Sequence, residues 1–179
     1  MIHQALYSSR SEEWPTPQNF FDRLDREFDF TLDPCGTPEN AKCSLFFTRE
    51  DNGLHQDWGK HIVFCNPPYG KQMRVWAKKC YDASQCGATV VLFAHSRTDT
   101  SWFHDWVYRK AAEIRFVRGR LKFGDGKQSA PFPSMVAVYK PPKELKQWTS
   151  QLPLMTNSKP LAKTSTSVFG SWSGPPLQS

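Results

Sequence analysis

The segment Asn66-Pro67-Pro68-Tyr69 carries the groups with the clearest potential for chemistry. It follows a short apolar run, Ile62 to Cys65, and so stands where a buried strand would end. Asn66 offers a side-chain carbonyl oxygen, and Pro67 has a fixed φ and no N–H, which presents its own carbonyl in a rigid extended turn. Two such acceptors can hold one amino group, and the ring of Tyr69 offers a flat face on which a planar base could stack.

The same four residues also have a purely structural interpretation. A strand that ends in a proline-stiffened turn accounts equally well for an isolated Asn-Pro-Pro-Tyr sequence. The choice between the two interpretations therefore depends on the rest of the chain.

Composition favours a polyanionic partner. The chain has 179 residues, enough for one substantial core, and its 23 Lys and Arg against 17 Asp and Glu give a formal net charge of +6. A basic surface is typical of proteins that bind nucleic acid. The 13 Phe, 7 Trp and 5 Tyr exceed what a small core needs, so some of these rings could stack on bases.

The sequence predicts neither a membrane span nor a metal site. Residues 1–10 lack an apolar signal core, and the longest apolar run, residues 88–94, is too short to cross a bilayer. The five cysteines are an odd number without C-x-x-C pairs, which indicates free and mostly buried thiols. We therefore expect a soluble, cytoplasmic protein.

Helical and extended patterns alternate along the chain. Helices are predicted over residues 17–28, with Thr16 as the N-cap and Pro17 in the first helical position, and over residues 71–85 and 101–112. Strands are predicted over residues 30–33, 44–48, 62–65, 88–94, 114–117 and 135–139. This alternation predicts an α/β fold with a doubly wound, mainly parallel sheet.

Two candidate site residues follow predicted strands. Asp33 comes at the end of the first strand and Asn66 at the end of the third. Ligands of open α/β sheets bind at the carboxyl ends of strands, so a charged group and an amide acceptor here would suit a cofactor beside a base. Asp33 could equally act as a helix N-cap or a turn former before Pro34, and both interpretations remain open.

The chain changes character after about Trp148. Residues 1–150 are predicted to form the folded domain. Residues 151–179 are rich in Pro, Ser, Thr and Gly and contain no acids, which predicts a mostly disordered tail.

Several short motifs occur in a defined order between Trp14 and Pro141. They are Trp14-Pro15-Thr16-Pro17, Leu32-Asp33-Pro34-Cys35, Asn40-Ala41-Lys42-Cys43, Asp57-Trp58, Asn66-Pro67-Pro68-Tyr69, Arg97-Thr98-Asp99-Thr100 with Trp102-Phe103, Gly119-Arg120-Leu121-Lys122-Phe123, and residues 131–138. The ordered set resembles the S-adenosylmethionine-dependent N6-adenine DNA methyltransferases, most closely the small phage and prophage enzymes of the Dam type. Asn-Pro-Pro-Tyr alone also occurs in glutamine and RNA methyltransferases.

The resemblance implies a Rossmann-like methyltransferase domain over residues 1–150. It implies S-adenosyl-L-methionine as the cofactor, double-stranded DNA with a flipped-out adenine as the substrate, and the cytoplasm of a bacterial host as the location. It also implies site residues: for catalysis Asn66, Pro67, Pro68 and Tyr69; for cofactor binding Thr16, Pro17, Asp33, Pro34 and Cys35; and for substrate binding Arg97 and Arg120, with Tyr69 as the stacking ring.

The sequence also departs from the wider methyltransferase pattern. The glycine-rich turn after the first strand is reduced to Gly36. The acid that the pattern places near the cofactor ribose could be Glu50 or Asp51, or the chain could lack it. Arg97 and Arg120 could instead be solvated or ion-paired surface residues. Two other functions remain open: a methyltransferase acting on RNA or protein glutamine, and a nucleic-acid-binding module without catalysis.

Overall fold

The computed structural model describes residues 14–122 and 129–143. The predicted tail over residues 151–179, the domain boundary at residue 150 and Phe123 lie outside these residues. No helix within the described ranges is long and apolar enough to cross a membrane.

The described chain contains two α-helices, a π-helical turn and four strands. They are α1 (Gln18–Phe28), β1 (Ile62–Cys65), α2 (Met73–Gln85), β2 (Thr89–His95), the π-helical turn (Phe103–Val107), β3 (Glu113–Phe116) and β4 (Ser134–Tyr139). The helix predicted over residues 101–112 is too long, because Tyr108 is extended and Ala112 already donates its N–H to the Val138 carbonyl at the edge of the sheet.

The four strands form one mixed sheet in the order β1-β2-β4-β3. The β1–β2 pair is parallel, whereas β4 is antiparallel to both β2 and β3. The prediction of mainly parallel pairing is therefore wrong for this sheet. A parallel return needs a crossover helix, and the described residues between β3 and β4 form none, so β4 runs back antiparallel. β1, β2 and β3 nevertheless point in the same direction.

The first two predicted strands, over residues 30–33 and 44–48, do not form; two isolated parallel bridges take their place. Leu32 pairs with Val63, and Asp33 pairs with Phe46. The Leu32 carbonyl accepts a hydrogen bond from Phe64 N–H at 2.9 Å, which fixes this segment against β1. Asp33 consequently lies beside the carboxyl end of β1.

Alternating side chains of the sheet enter two separate hydrophobic clusters, one on each face. On one face, α2 packs Met73, Trp76, Ala77 and Cys80 against Val63, Cys65, Val90, Leu92, Ala94, Met135, Ala137 and Tyr139. On the other face, α1 packs Phe20, Phe21 and Leu24 against Phe64, Val91, Phe93, Val136 and Val138. Helices thus cover both faces of the sheet, and the loops at its edge remain available for a site.

Candidate active site

A cavity of about 590 Å³ opens at the carboxyl end of β1. Its size suits a cofactor or another small organic molecule. The wall is formed by residues 14–16, 33–37, 48–49, 52–54 and 66–68, together with Asn40, Lys42, Phe64, Gln72 and Trp76. All of the residues predicted to bind the cofactor lie on this wall except Pro17, which is the N-cap of α1 beside it.

The carboxamide of Asn66 has a defined orientation. Its Nδ2 donates to the Trp14 carbonyl at 2.8 Å and to Thr16 Oγ1 at 3.0 Å. Because a backbone carbonyl only accepts, the Trp14 contact identifies the amino end of the carboxamide. Asn66 Oδ1 is left buried, with no hydrogen-bond partner in the described part of the chain. Such an atom is costly to leave unpaired, so a donor from water or from a ligand must complete its hydrogen bonding, and Asn66 Oδ1 is available as an acceptor at the cavity wall.

Thr16 is not the helix cap that the sequence predicted. Pro17 occupies the N-cap position of α1 without a side-chain cap bond, and the helix begins at Gln18. Thr16 is 5% exposed, and its hydroxyl instead accepts a hydrogen bond from the Asn66 side chain. The hydroxyl therefore belongs to the site rather than to the helix terminus.

Asp33 acts as the turn former that one of the two sequence interpretations described. Its Oδ1 accepts from Cys35 N–H and its Oδ2 accepts from Lys42 N–H, both at 3.0 Å. Asp33 is 4% exposed, and this burial raises the pKa of its carboxyl group despite the two hydrogen bonds, which act in the opposite direction. Asp33 thus shapes the loop from Pro34 onward and also lines the cavity, where its contact with a cofactor stays a prediction.

Gly53 holds a second wall of the cavity against this loop, and sequence patterns give no signal for it. A Cβ atom at Gly53 would stand 2.2 Å from the Pro34 carbonyl oxygen, so only glycine fits without displacement. The Gly53 carbonyl also accepts a hydrogen bond from Trp58 Nε1 at 2.9 Å. The buried Trp58 therefore holds Gly53 in its position against the Pro34 loop.

Glu50 and Asp51, the two acids that the sequence offers for the cofactor ribose, are not among the described residues that line the cavity. Asp51 accepts hydrogen bonds from the N–H and the hydroxyl of Thr48, which explains why the pKa of its carboxyl is lowered. Glu50 is exposed. Asp33 supplies the carboxylate on the wall formed by described residues, where Lys42 and Arg49 add positive charge.

Tyr69 lies behind the cavity rather than on its wall. The residue is 7% exposed, and its ring packs edge-on against His95 and Phe132, with centroid distances of 4.8 and 5.4 Å. Burial raises the pKa of the Tyr69 hydroxyl, which has no hydrogen-bond partner among the described residues. Burial, followed by the charge of Arg97, lowers the pKa of His95 to about 4. A base can stack on Tyr69 only if a neighbouring ring moves.

Arg97 and Arg120 lie outside the cavity wall, on the surface at the same edge of the sheet. Arg97 follows β2 and pairs with Asp99 at 3.2 Å, and the exposed Arg120 follows β3. Because β1, β2 and β3 point in the same direction, both residues share an edge with Asn66. Their predicted contact with the substrate remains a prediction.

The five cysteines are free, as the sequence predicted, but the prediction that they are mostly buried holds only in part. Cys65 and Cys80 are buried, Cys35 and Cys43 are half-buried and Cys86 is exposed. The Cys35 and Cys65 sulfurs are 3.9 Å apart, and burial raises the pKa of both thiols. Over the described ranges, no group of His, Cys, Asp or Glu side chains is arranged to hold a metal ion.

Comparisons with known proteins give a consistent result. The family described as DNA N-6-adenine-methyltransferase (Dam) matches residues 4–159. A protein of Escherichia phage T1 named "DNA N-6-adenine-methyltransferase" is 28% identical over 110 residues, which cover 60% of this chain and 45% of that protein. The Escherichia coli (strain K12) protein named "Putative methyltransferase YfdM" is 38% identical over 65 residues, or 32% of this chain and 71% of that protein. The match therefore spans less than half of the phage T1 relative. Because the family match covers most of the sequence, the chain belongs to the DNA N-6-adenine-methyltransferase (Dam) family.

Proposed function

We propose that this protein is a DNA adenine N6-methyltransferase that uses S-adenosyl-L-methionine. The observation that carries the proposal is the buried Asn66 Oδ1, which has no hydrogen-bond partner among the described residues and lies at the wall of a cavity large enough for a cofactor. An exocyclic amino group is the kind of donor that this acceptor requires. The name of the phage T1 relative supports adenine in DNA as the source of that group.

The residues on the cavity wall fit the chemistry of S-adenosyl-L-methionine. Lys42 and Arg49 offer positive charge to a carboxylate, and Asp33 retains lone pairs for a cation after accepting its two backbone hydrogen bonds. Pro34 and Trp76 offer apolar surface to an adenine ring. When bound, the cofactor supplies an electrophilic methyl group.

We further propose that the sheet is the Rossmann-like sheet of this class of enzymes. Three successive parallel pairings support this: Phe46 with Asp33, Leu32 with Val63, and β1 with β2. The cavity opens at the carboxyl ends of these segments, as expected for the ligand site of an open α/β sheet. The antiparallel β4 lies on the far side of β2, away from this half of the sheet.

The proposed chemistry depends on making a poor nucleophile reactive. The lone pair of an adenine amino nitrogen is delocalised into the ring. Hydrogen bonds from its two N–H groups to Asn66 Oδ1 and to the Pro67 carbonyl favour a more tetrahedral nitrogen, whose lone pair is then available for attack. Both acceptors are held in place before the base arrives, so the acceleration comes from positioning and preorganised electrostatics.

The target adenine must leave the DNA duplex before Asn66 can contact its amino group. We propose that the flipped base stacks on Tyr69, which requires Phe132 to move away from the Tyr69 ring. Arg97 and Arg120, at the same edge of the sheet, would contact phosphates of the duplex. We also propose that the protein acts in the cytoplasm of a bacterial host, which the similarity to a protein of Escherichia phage T1 supports.

Mass spectrometry of the reaction products tests the proposal. The protein is incubated with S-adenosyl-L-methionine and one substrate at a time. The three substrates are double-stranded DNA, RNA and a glutamine-containing protein. We expect N6-methyladenine in the DNA and none when Asn66→Ala replaces the wild type. Methyl groups on RNA or protein alone would move the activity to another substrate, and a wild type that fails to bind S-adenosyl-L-methionine and transfers no methyl group would indicate a nucleic-acid-binding module without catalysis.

A further inference from the structure

The proposed chemistry requires that the Asn66 carboxamide keep one of its two orientations. A half-turn about its terminal bond exchanges an acceptor oxygen for a donor amino group. In the exchanged orientation Asn66 would present N–H groups to another amino group, and no hydrogen bond would form. Some part of the protein must therefore select the orientation that leaves the oxygen free.

The segment from Trp14 to Pro17 makes this selection. The Trp14 carbonyl can only accept, and Thr16 Oγ1 takes the second N–H of the same amide. Together they use both protons of Nδ2 and leave Oδ1 without a partner among the described residues. Both contacts reach across about fifty residues of sequence, and both lie at the cavity wall.

The segment is well suited to hold a fixed position. Pro15 and Pro17 flank Thr16 and fix φ on both sides of it. The Pro17 carbonyl accepts hydrogen bonds from Phe20 and Phe21 N–H at 3.0 and 3.1 Å, which ties the segment to the first turn of α1. The Thr16 hydroxyl is buried and is not needed as a helix cap.

We infer that Thr16 is a positioning residue, which acts with the Trp14 carbonyl to hold the Asn66 carboxamide with its oxygen toward the target amino group. The inference rests on the proposed function, and it assigns Thr16 a role beyond the cofactor contact that the resemblance implies. A pure cofactor contact would make Thr16 matter for cofactor affinity. A positioning residue matters for the rate of methyl transfer after both ligands are bound.

Thr16→Val is the direct test, because it removes the hydroxyl and nearly conserves the shape. We expect kcat to fall about tenfold, the scale of one net hydrogen bond, while the Kd of S-adenosyl-L-methionine and the KM for DNA stay within about twofold. Thr16→Ser keeps the hydroxyl and should restore kcat. Thr16→Ala replaces the valine variant if thermal unfolding shows that valine is not accommodated.

Thr31→Val is the matched control. The Thr31 hydroxyl also accepts a hydrogen bond, from Ile62 N–H at 3.0 Å, but Thr31 is exposed and lies off the described cavity wall. Its kcat should equal that of the wild type. A Thr16→Val variant with weakened cofactor binding and unchanged kcat, or with no change in either, would overturn the inference.

NMR of the Asn66 side-chain amide separates this inference from the proposed function. In the wild type both Nδ2 protons should exchange slowly with solvent, because each is hydrogen bonded, and Asn66→Ala identifies their signals. In Thr16→Val one of them should exchange at least about tenfold faster. A wild type without DNA methylation would refute the proposed function alone, whereas unchanged proton exchange in Thr16→Val would refute the positioning role whatever the activity.

Discussion

The neutral imidazole of His95 should make the stability of the fold depend on pH. His95 lies at the end of β2, and its ring packs against Tyr69, Trp102 and Phe132. Burial, then the positive charge of Arg97, lowers its pKa from 6.5 to about 4, with Asp99 opposing the shift. The folded state therefore binds fewer protons than the unfolded state between these two pH values, and stability falls as the pH falls through that window.

The size of the effect follows from the shift in pKa. With a pKa of 6.5 unfolded and about 4 folded, lowering the pH from about 7.5 to about 5 removes about 2 kcal/mol from the free energy of unfolding. The ring is only partly buried, and solvent screening reduces the expected loss to about 1.5 kcal/mol.

Urea unfolding at the two pH values measures this loss, with His95→Gln as the comparison because glutamine does not titrate. The variant should be less stable at both pH values, since it loses the ring contacts. Between the two pH values, however, its free energy of unfolding should fall by about 1.5 kcal/mol less than that of the wild type. Equal pH dependence in the two proteins would refute the assignment of a neutral, partly buried imidazole.

Three further predictions concern the loops and the tail. Gly53→Ala should weaken S-adenosyl-L-methionine binding and cost about 1–3 kcal/mol in a urea unfolding experiment, because its Cβ meets the Pro34 carbonyl. Gly59→Ala has open space for its Cβ but a left-handed φ of 46°, so it should lower stability through backbone strain and still retain wild-type cofactor affinity. Arg97→Ala and Arg120→Ala should reduce DNA affinity and the steepness of its salt dependence in a fluorescence anisotropy titration, with cofactor affinity unchanged; equal loss of both affinities would place these arginines in the cofactor site or the core. Removal of residues 151–179 should leave methyl transfer largely intact, and loss of activity in a truncated protein that still folds would contradict this.

Local sequence patterns were sufficient to predict the helices and strands whose apolar spacing defines a buried face. The period of Phe20, Phe21 and Leu24 predicted α1 within one residue, and α2 begins two residues later than predicted. The apolar run over residues 88–94 predicted β2 with a shift of one residue. In these segments the local pattern and the tertiary packing favour the same structure.

The remaining features depend on contacts between distant parts of the chain. The position of β4 between β2 and β3 is set by packing and is not encoded in the strand pattern itself. Thr16-Pro17 has the signature of a helix start, but the Asn66 amide recruits the Thr16 hydroxyl from across fifty residues. Gly53 is required by one close approach to the Pro34 carbonyl, which no local motif indicates.

The central claim is that Asn66 Oδ1 accepts the hydrogen bond of the reacting amino group. The most direct test is the single-turnover rate of DNA adenine methylation by Asn66→Ala, measured with saturating S-adenosyl-L-methionine and DNA. We predict a fall of roughly 10²-fold or more, with folding and cofactor affinity retained, and partial activity in Asn66→Asp, which keeps an acceptor of nearly the same shape. Methylation by Asn66→Ala at the wild-type rate, or a defect confined to instability, would contradict the account.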